Sequence, residues 1–224
     1  TPSKIMTKEA FENAILVASA IGASSNCPPH LTAIARHMGL ELDIENWQTL
    51  GHDIPLLVNC QPAGEHLMER FYRAGGVPAI MQELLKNNKL HKSALTVSGK
   101  TVEENLKIEI DIDTDVIKSF ANPLVKNAGY IVMRSNFFSS AVMKTSVISK
   151  EFRKRYLSDP KNINVFEANA VIFEGPEDYH SRINDEKLDI NENSILMIRG
   201  CGPVGYPGSA EVVNMQPPDR LLKK

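Results

Sequence analysis

No apolar run of this chain approaches the roughly 20 residues that a membrane-spanning helix needs. The opening Thr1-Pro2-Ser3-Lys4 has neither the long apolar core nor the small-residue cleavage site of a secretory signal, so a cytoplasmic setting is expected. Cysteine is sparse. Cys27, Cys60 and Cys201 are odd in number and far apart, which excludes a disulfide framework, and the lack of any C-x-x-C pair argues against a zinc ribbon. An excess of either charge is missing too: 25 basic residues face 27 acidic ones, for a formal net charge of −2. No global field therefore draws the protein to nucleic acid or to an anionic membrane. Internal repeats and low-complexity tracts are absent. What remains is ordinary soluble-protein material, 224 residues with 42% hydrophobic and 23% charged, enough for one large domain or two modest ones. Position 1 is not Met, and the helix after Pro217-Pro218 stops almost at once. Both ends read as cut from a longer chain, although a natural terminus can look the same.

The clearest periodicity is a helix over residues 7–22. Thr7 is its cap, and Phe11, Ala14, Ile15, Ala18 and Ile21 form its apolar face. A second helix runs through His30, Leu31, Ile34, Ala35 and Met38 and closes at Gly39. Asp43 is placed to cap a short helix around Trp47. Residues 53–60 read as a short buried strand, followed by helices near 65–72, 79–86 and 101–106. Helix and strand thus alternate to about residue 106, an α/β pattern. The second half is mixed but β-rich. Ile and acidic residues alternate over 107–117, strands are expected at 129–134, 141–145, 170–173 and 194–199, and a helix at 176–183. The boundary falls at 110–120, giving parts 1–115 and 116–224.

Five stretches are chemically suggestive. Residues 199–211 follow a strand and place four glycines and two prolines within positions 200–209, a loop with exposed amides that ends in Glu211. That carboxylate suits Mg²⁺, or it is a surface Glu after a structural turn. The loop is not a Walker-type phosphate loop. Within Gly22–His30, the side chains of Ser24, Ser25 and Asn26 either bind a polyhydroxylated ligand or cap the next helix. His30 is a general base or a packing residue, and Cys27 a soft metal ligand or a buried thiol. Gly75-Gly76 is a turn, or a site of close backbone approach. Arg134 ends a strand, where it can bind a carboxylate ligand or make a surface salt bridge. Lys144 sits in an apolar strand as an edge charge or a pocket cation.

Several stretches together resemble the dihydroxy-acid/6-phosphogluconate dehydratase family. They are Gly22-Ala23-Ser24-Ser25-Asn26 with His30-Leu31-Thr32-Ala33-Ile34-Ala35; Asp53-Ile54-Pro55-Leu56-Leu57, Gln61-Pro62-Ala63-Gly64 and Ala74-Gly75-Gly76-Val77-Pro78; Thr96 to Thr101 with Glu104-Asn105; and Gly202-Pro203 through Pro207-Gly208 to Glu211 and Met215. Gly175–His180 and Met143–Ser149 are most similar to the aldonate branch, which acts on acids such as arabinonate and xylonate. The resemblance implies a hydro-lyase that converts a 2,3-dihydroxy sugar acid to a 2-keto-3-deoxy acid. It also implies Mg²⁺ and an iron–sulfur cluster held by three cysteines. The implied fold is the end of a helix-rich α/β/α domain followed by a β-rich, barrel-like swivelling domain, with the active site between them and a homodimeric or homotetrameric parent.

On this resemblance Glu211 falls on a Mg²⁺ ligand. The cluster cysteines and the other Mg²⁺ ligands lie upstream, the serine base lies downstream, and none of Cys27, Cys60 and Cys201 matches a cluster ligand. Two glycines of the family pattern are replaced, in Gly22-Ala23-Ser24-Ser25-Asn26 and in Arg134-Ser135-Asn136. The expectation is therefore a middle-to-C-terminal piece of an aldonate dehydratase, inactive by itself, with a sugar acid as ligand and no nucleic-acid or membrane partner. The rival readings are a branched-chain dihydroxy-acid dehydratase and a truncated interaction module without catalysis.

Overall fold

A computed structural model describes residues 1–136, 138–162, 165–200 and 215–222. The chain separates into two compact units, Thr1–Ile148 and Ser149–Lys224.

The first unit holds helices α1 (Pro2–Ile5), α2 (Lys8–Ile21), α3 (Cys27–His37), α4 (Asn46–Thr49), α5 (Met68–Arg73), α6 (Gly76–Lys86) and α7 (Val102–Asn105), then strands β1 (Tyr130–Met133) and β2 (Ala141–Lys144). Helix α2 organises it. The Thr7 hydroxyl accepts from the Ala10 amide, as its position predicts, and the helix buries two faces rather than one. Phe11, Ile15 and Ala18 pack in a cluster with Ala35, Leu42, Trp47 and Tyr130. Leu16 and Ala20 join a larger cluster with Ile54, Leu57, Val58, Ile80 and Leu84. A two-faced helix must satisfy its buried polar groups, and the Ser19 hydroxyl does so within the helix by donating to the Ile15 carbonyl at 2.8 Å.

Residues 54–60 of the expected strand at 53–60 are buried, but the segment forms only isolated bridges, Leu56 with Val125 and Val58 with Ile117 among them. Its backbone is shared among different neighbours: the Leu57 amide donates to Ala20, the Leu56 amide to Val125 and the Asn59 amide to Val116. No single partner runs alongside long enough for a ladder to form. The alternating Ile and acidic residues over 107–117 form no ladder; Ile110 and Ile112 pack against the larger cluster. Residues 116–148 belong to this first unit, because Val116, Ile117 and Tyr130 are fully or almost fully buried in its two clusters. The Asp43 side chain caps nothing: α4 is capped in position by Glu45, and Asp43 takes part through its main-chain amide, which donates to Asn46 Oδ1 at 2.9 Å.

The second unit holds α8 (Lys150–Tyr156), β3 (Asn169–Phe173), α9 (Pro176–Arg182), β4 (Ser194–Ile198) and α10 (Asp219–Leu222). Helix α8 has no counterpart in the sequence expectations; Ser149 caps it by accepting from the Phe152 amide at 3.0 Å. Strands β3 and β4 pair in parallel, Asn169 opposite Ser194 and Phe173 opposite Ile198, with α9 as the intervening helix. Phe173, Tyr179, Ile183 and Ile190 form the core beneath them. Strands β1 and β2 pair antiparallel, so the described strands make two separate pairs and close no barrel. No helix among the described residues is long and apolar enough to cross a membrane.

Candidate functional site

Loop 22–26 is built by the way α2 ends. Gly22 adopts φ 68°, a left-handed conformation that costs an L-residue energy. The Ala23 amide then reaches back to the Ala18 carbonyl at 2.9 Å and the Gly22 amide to Ser19 at 3.1 Å, a Schellman closure. A Cβ at Gly22 would lie 2.8 Å from Leu56 Cδ1, so the position is closed by packing as well as by conformation. Ala23 and Ser135, where the family pattern has glycine, take up no positive φ, so neither substitution strains the backbone.

After Gly22 the chain turns again. The Ser24 hydroxyl accepts from the Asn26 amide at 3.2 Å, and the Ser24 carbonyl accepts from the Cys27 amide at 3.0 Å. Helix α3 starts at once, with Pro28 and Pro29 in its first turn. Asn26 occupies the cap position, but its side chain makes no capping hydrogen bond. Ser24 and Ser25 are exposed and Asn26 half-buried, so the three predicted residues form one accessible turn. His30 is exposed beside them.

The inner side of this turn is held by distant residues. Lys144 Nζ donates to the Gly22 carbonyl at 3.1 Å. The Tyr130 hydroxyl lies 2.7 Å from the Ala23 carbonyl and 3.2 Å from that of Ser24; with one proton to give, it favours the nearer. Tyr130 is fully buried and stands edge-on to Trp47, ring centroids 4.9 Å apart. Burial pushes its phenol well above the ordinary value, and the neighbouring Cys27 adds to that. Burial likewise pushes the Cys27 thiol up, partly offset by the Lys144 ammonium, and pushes the Lys144 ammonium down, partly offset by Cys27. Of the two sequence readings of Lys144, the structure supports a partly buried cation rather than an edge charge.

Other candidates resolve differently. Arg134 forms a surface ion pair with Glu45 and donates to the Ser139 carbonyl at 2.6 Å. Gly75 has φ 111°, and a Cβ there would approach Ile110 Cγ2 to 2.7 Å, so the glycine pair does bring α6 close to another segment. Glu211, Cys201 and all of the glycine-rich loop after Gly200 lie outside the described residues.

Two cavities flank these elements in the first unit. An apolar groove of about 490 Å³ is bounded by Ala14, Ala18, Ala23, Cys27, Leu31 and Met81. A charged cleft of about 610 Å³ is lined by Glu65, His66, Arg70, Arg73 and Asp113, a set that the sequence reading missed. His66 and Arg70 are held by carboxylates: His66 Nε2 is 3.0 Å from Asp115, and Arg70 is 3.2 Å from Asp115 and 3.4 Å from Asp113. The Asp113 carboxyl is held below its usual range, chiefly by the Asp115 amide and then by Arg70. The only trace in the sequence is the His66–Arg70 spacing of one helical turn, and the two aspartates lie more than 40 residues on.

The described residues do not fit an iron–sulfur or divalent-metal centre. No group of three His, Cys, Asp or Glu among them is arranged to hold a metal ion. Cys60 is buried 3.7 Å from the Leu67 carbonyl, and burial favours the protonated thiol at both Cys27 and Cys60, whereas ligation needs thiolate.

Comparison with known proteins adds what the geometry does not. The chain is 56% identical over its whole length to the D-xylonate dehydratase of Caulobacter vibrioides and 44% identical to the L-arabinonate dehydratase of Rhizobium leguminosarum bv. trifolii. It is 34% identical over 95% of its length to a dihydroxy-acid dehydratase of Lactococcus lactis subsp. cremoris. The chain spans 37%, 37% and 35% of the lengths of these relatives. The family model for the dihydroxy-acid/6-phosphogluconate dehydratase N-terminal part matches residues 1–105, and that for the C-terminal part matches residues 115–224. With nearly every residue covered by these two models in order, the chain belongs to the dihydroxy-acid/6-phosphogluconate dehydratase family.

Proposed function

We propose that this chain is part of a sugar-acid dehydratase, a hydro-lyase that takes a proton from C2 and hydroxide from C3 of an aldonic acid. The products are water and an enol that becomes the 2-keto-3-deoxy acid. The observation that carries this reading is the gradient of similarity: 56% and 44% to the xylonate and arabinonate enzymes against 34% to a dihydroxy-acid enzyme, each over almost all of the chain.

In this reading loop 22–26 is the chain's substrate-facing element. Exposed hydroxyls at Ser24 and Ser25, with the Asn26 amide beside them, supply donors and acceptors that match a polyol. Glu211 is assigned to Mg²⁺, and the iron–sulfur ligands are assigned to residues outside this chain. Parts 1–115 and 116–224 correspond to the end of the α/β/α domain and to part of the β-rich swivelling domain. The longer protein is read as a cytoplasmic homodimer or homotetramer.

The test is 2-keto acid release from D-xylonate, L-arabinonate and 2,3-dihydroxy-isovalerate by the full-length protein. Turnover confined to the pentonates supports the reading, and preference for the branched-chain acid overturns it. The 224-residue chain alone is expected to be inactive; turnover by it would overturn the assignment of essential ligands elsewhere.

A further inference from the structure

Tyr130 and Lys144 are direct partners in the antiparallel register of β1 and β2. Opposed residues of such a pair project to the same face of the sheet. Here that face meets the end of α2, and the two side chains contact three consecutive carbonyls, Lys144 at Gly22 and Tyr130 at Ala23 and Ser24. We propose that Tyr130 and Lys144 are positioning residues for loop 22–26, one rung of a hairpin holding the substrate-facing turn in its binding conformation. The role rests on the dehydratase reading of that loop.

Three observations carry it. First, in a trans peptide the C=O and N–H point in opposite directions. The Ala23 and Ser24 carbonyls both face the Tyr130 hydroxyl, which turns the amides of Ser24 and Ser25 outward, on the exposed side of the turn. The anchors thereby aim two main-chain donors, besides two hydroxyls, at whatever occupies that side. Second, the anchors are themselves fixed. Tyr130 is fully buried against Trp47, and Lys144 is half-buried with no carboxylate within ion-pair distance among the described residues. A partly buried ammonium without a counter-ion is costly unless it meets oxygen atoms, and the oxygen it meets belongs to the loop. Third, Cys27 begins α3 directly after the turn and its thiol is free and half-buried, so its accessibility follows the turn's closure.

The experiment uses the full-length protein with Tyr130→Phe, Lys144→Met and Lys144→Arg. Tyr130→Phe and Lys144→Met are expected to raise the pentonate KM roughly tenfold, with kcat changed less than about threefold. Lys144→Arg retains donors and is expected to restore most of the loss. A second readout does not depend on activity: labelling of Cys27 by a maleimide, followed on its peptide. Tyr130→Phe keeps the buried ring and is expected to speed labelling about tenfold, since the turn opens more often. A lower melting temperature with unchanged KM and unchanged labelling would assign both residues a merely structural role and overturn the proposal. If the wild-type protein turns over no pentonate, the dehydratase reading fails. The labelling arm still decides whether the rung controls the turn: acceleration sustains it and an unchanged rate sinks it.

Discussion

Asn13 and His91, 78 residues apart, hold each other by two hydrogen bonds: Asn13 Nδ2 donates to the His91 carbonyl at 3.1 Å, and the His91 amide donates to Asn13 Oδ1 at 2.8 Å. The side chain acts as a surrogate strand edge for a segment that has none. Asn13 is only 5% exposed, so its amide would carry an unmet desolvation cost without this partner. The pair ties the segment around residues 90–94, including Leu90 and Ala94 of the larger core cluster, to the middle of α2. Asn13→Ala leaves two main-chain groups without their partners and is expected to cost about 2–3 kcal/mol. Urea unfolding would measure it; a loss below about 0.5 kcal/mol would mean that water replaces the amide freely.

Gly22 and Gly39 both adopt left-handed backbone, with φ 68° and φ 73°, but only Gly22 is closed in. A Cβ at Gly39 meets nothing within 4 Å, whereas one at Gly22 meets the fully buried Leu56. Gly39→Ala is expected to cost about 1 kcal/mol, the conformational part alone. Gly22→Ala adds crowding and is expected to cost about 2–3 kcal/mol. Thermal melts of the two variants check the order, and equal losses would show that Leu56 yields without penalty.

Tyr130 sets an alkaline limit. Its phenol is raised in the fold above the ordinary 10.0, first by burial and then by Cys27. The folded state therefore keeps a proton that the unfolded chain gives up. The resulting stability is fully present below the unfolded value and is lost as pH rises through the folded one. Wild-type stability is expected to fall above about pH 10 more steeply than that of Tyr130→Phe. Parallel slopes for the two proteins would place the titrating group elsewhere.

Glu104 carries a limit of the opposite sign. Thr101 and Glu104 form a reciprocal capping box on α7, and the Glu104 carboxyl is lowered below its ordinary 4.5, chiefly by the Thr101 amide and then by the Thr101 hydroxyl. A lowered acid stabilises above its unfolded value and loses that contribution as pH falls through the folded one. The difference in melting temperature between wild type and Glu104→Gln is expected near neutral pH and should vanish in acid. Persistence of the difference in acid would deny the carboxylate its role.

Helices α2, α3, α6 and α7, and strands β1 to β4, were legible because each carries its own punctuation: Thr7 and Gly22 around α2, the prolines after Cys27, the Gly75-Gly76 pair, the Thr101–Glu104 box. Segment 53–60 was legible as buried but not as unladdered, since its amides are met by Ala20, Val116 and Val125, which no local pattern relates to it. Helix α8 was missed because its apolar residues, Phe152 and Tyr156, are outnumbered by Lys150, Arg153, Lys154 and Arg155. The turn at Ser24, Ser25 and Asn26 was visible as small polar residues between helices. The charged cleft was not, because His66 and Arg70 meet Asp113 and Asp115 only after the chain folds back.

Local composition by itself marked most of the helices, and the order of the motifs along the chain marked the family they resemble. Those properties depend on neighbours within a few positions, or on matching order along the chain. Tertiary structure decided what the side chains face. Lys144 could be an edge charge or a pocket cation until the hairpin placed it on the Gly22 carbonyl, opposite Tyr130. Burial and partnership are set by residues more than 100 positions away, and no periodicity along the chain carries that information.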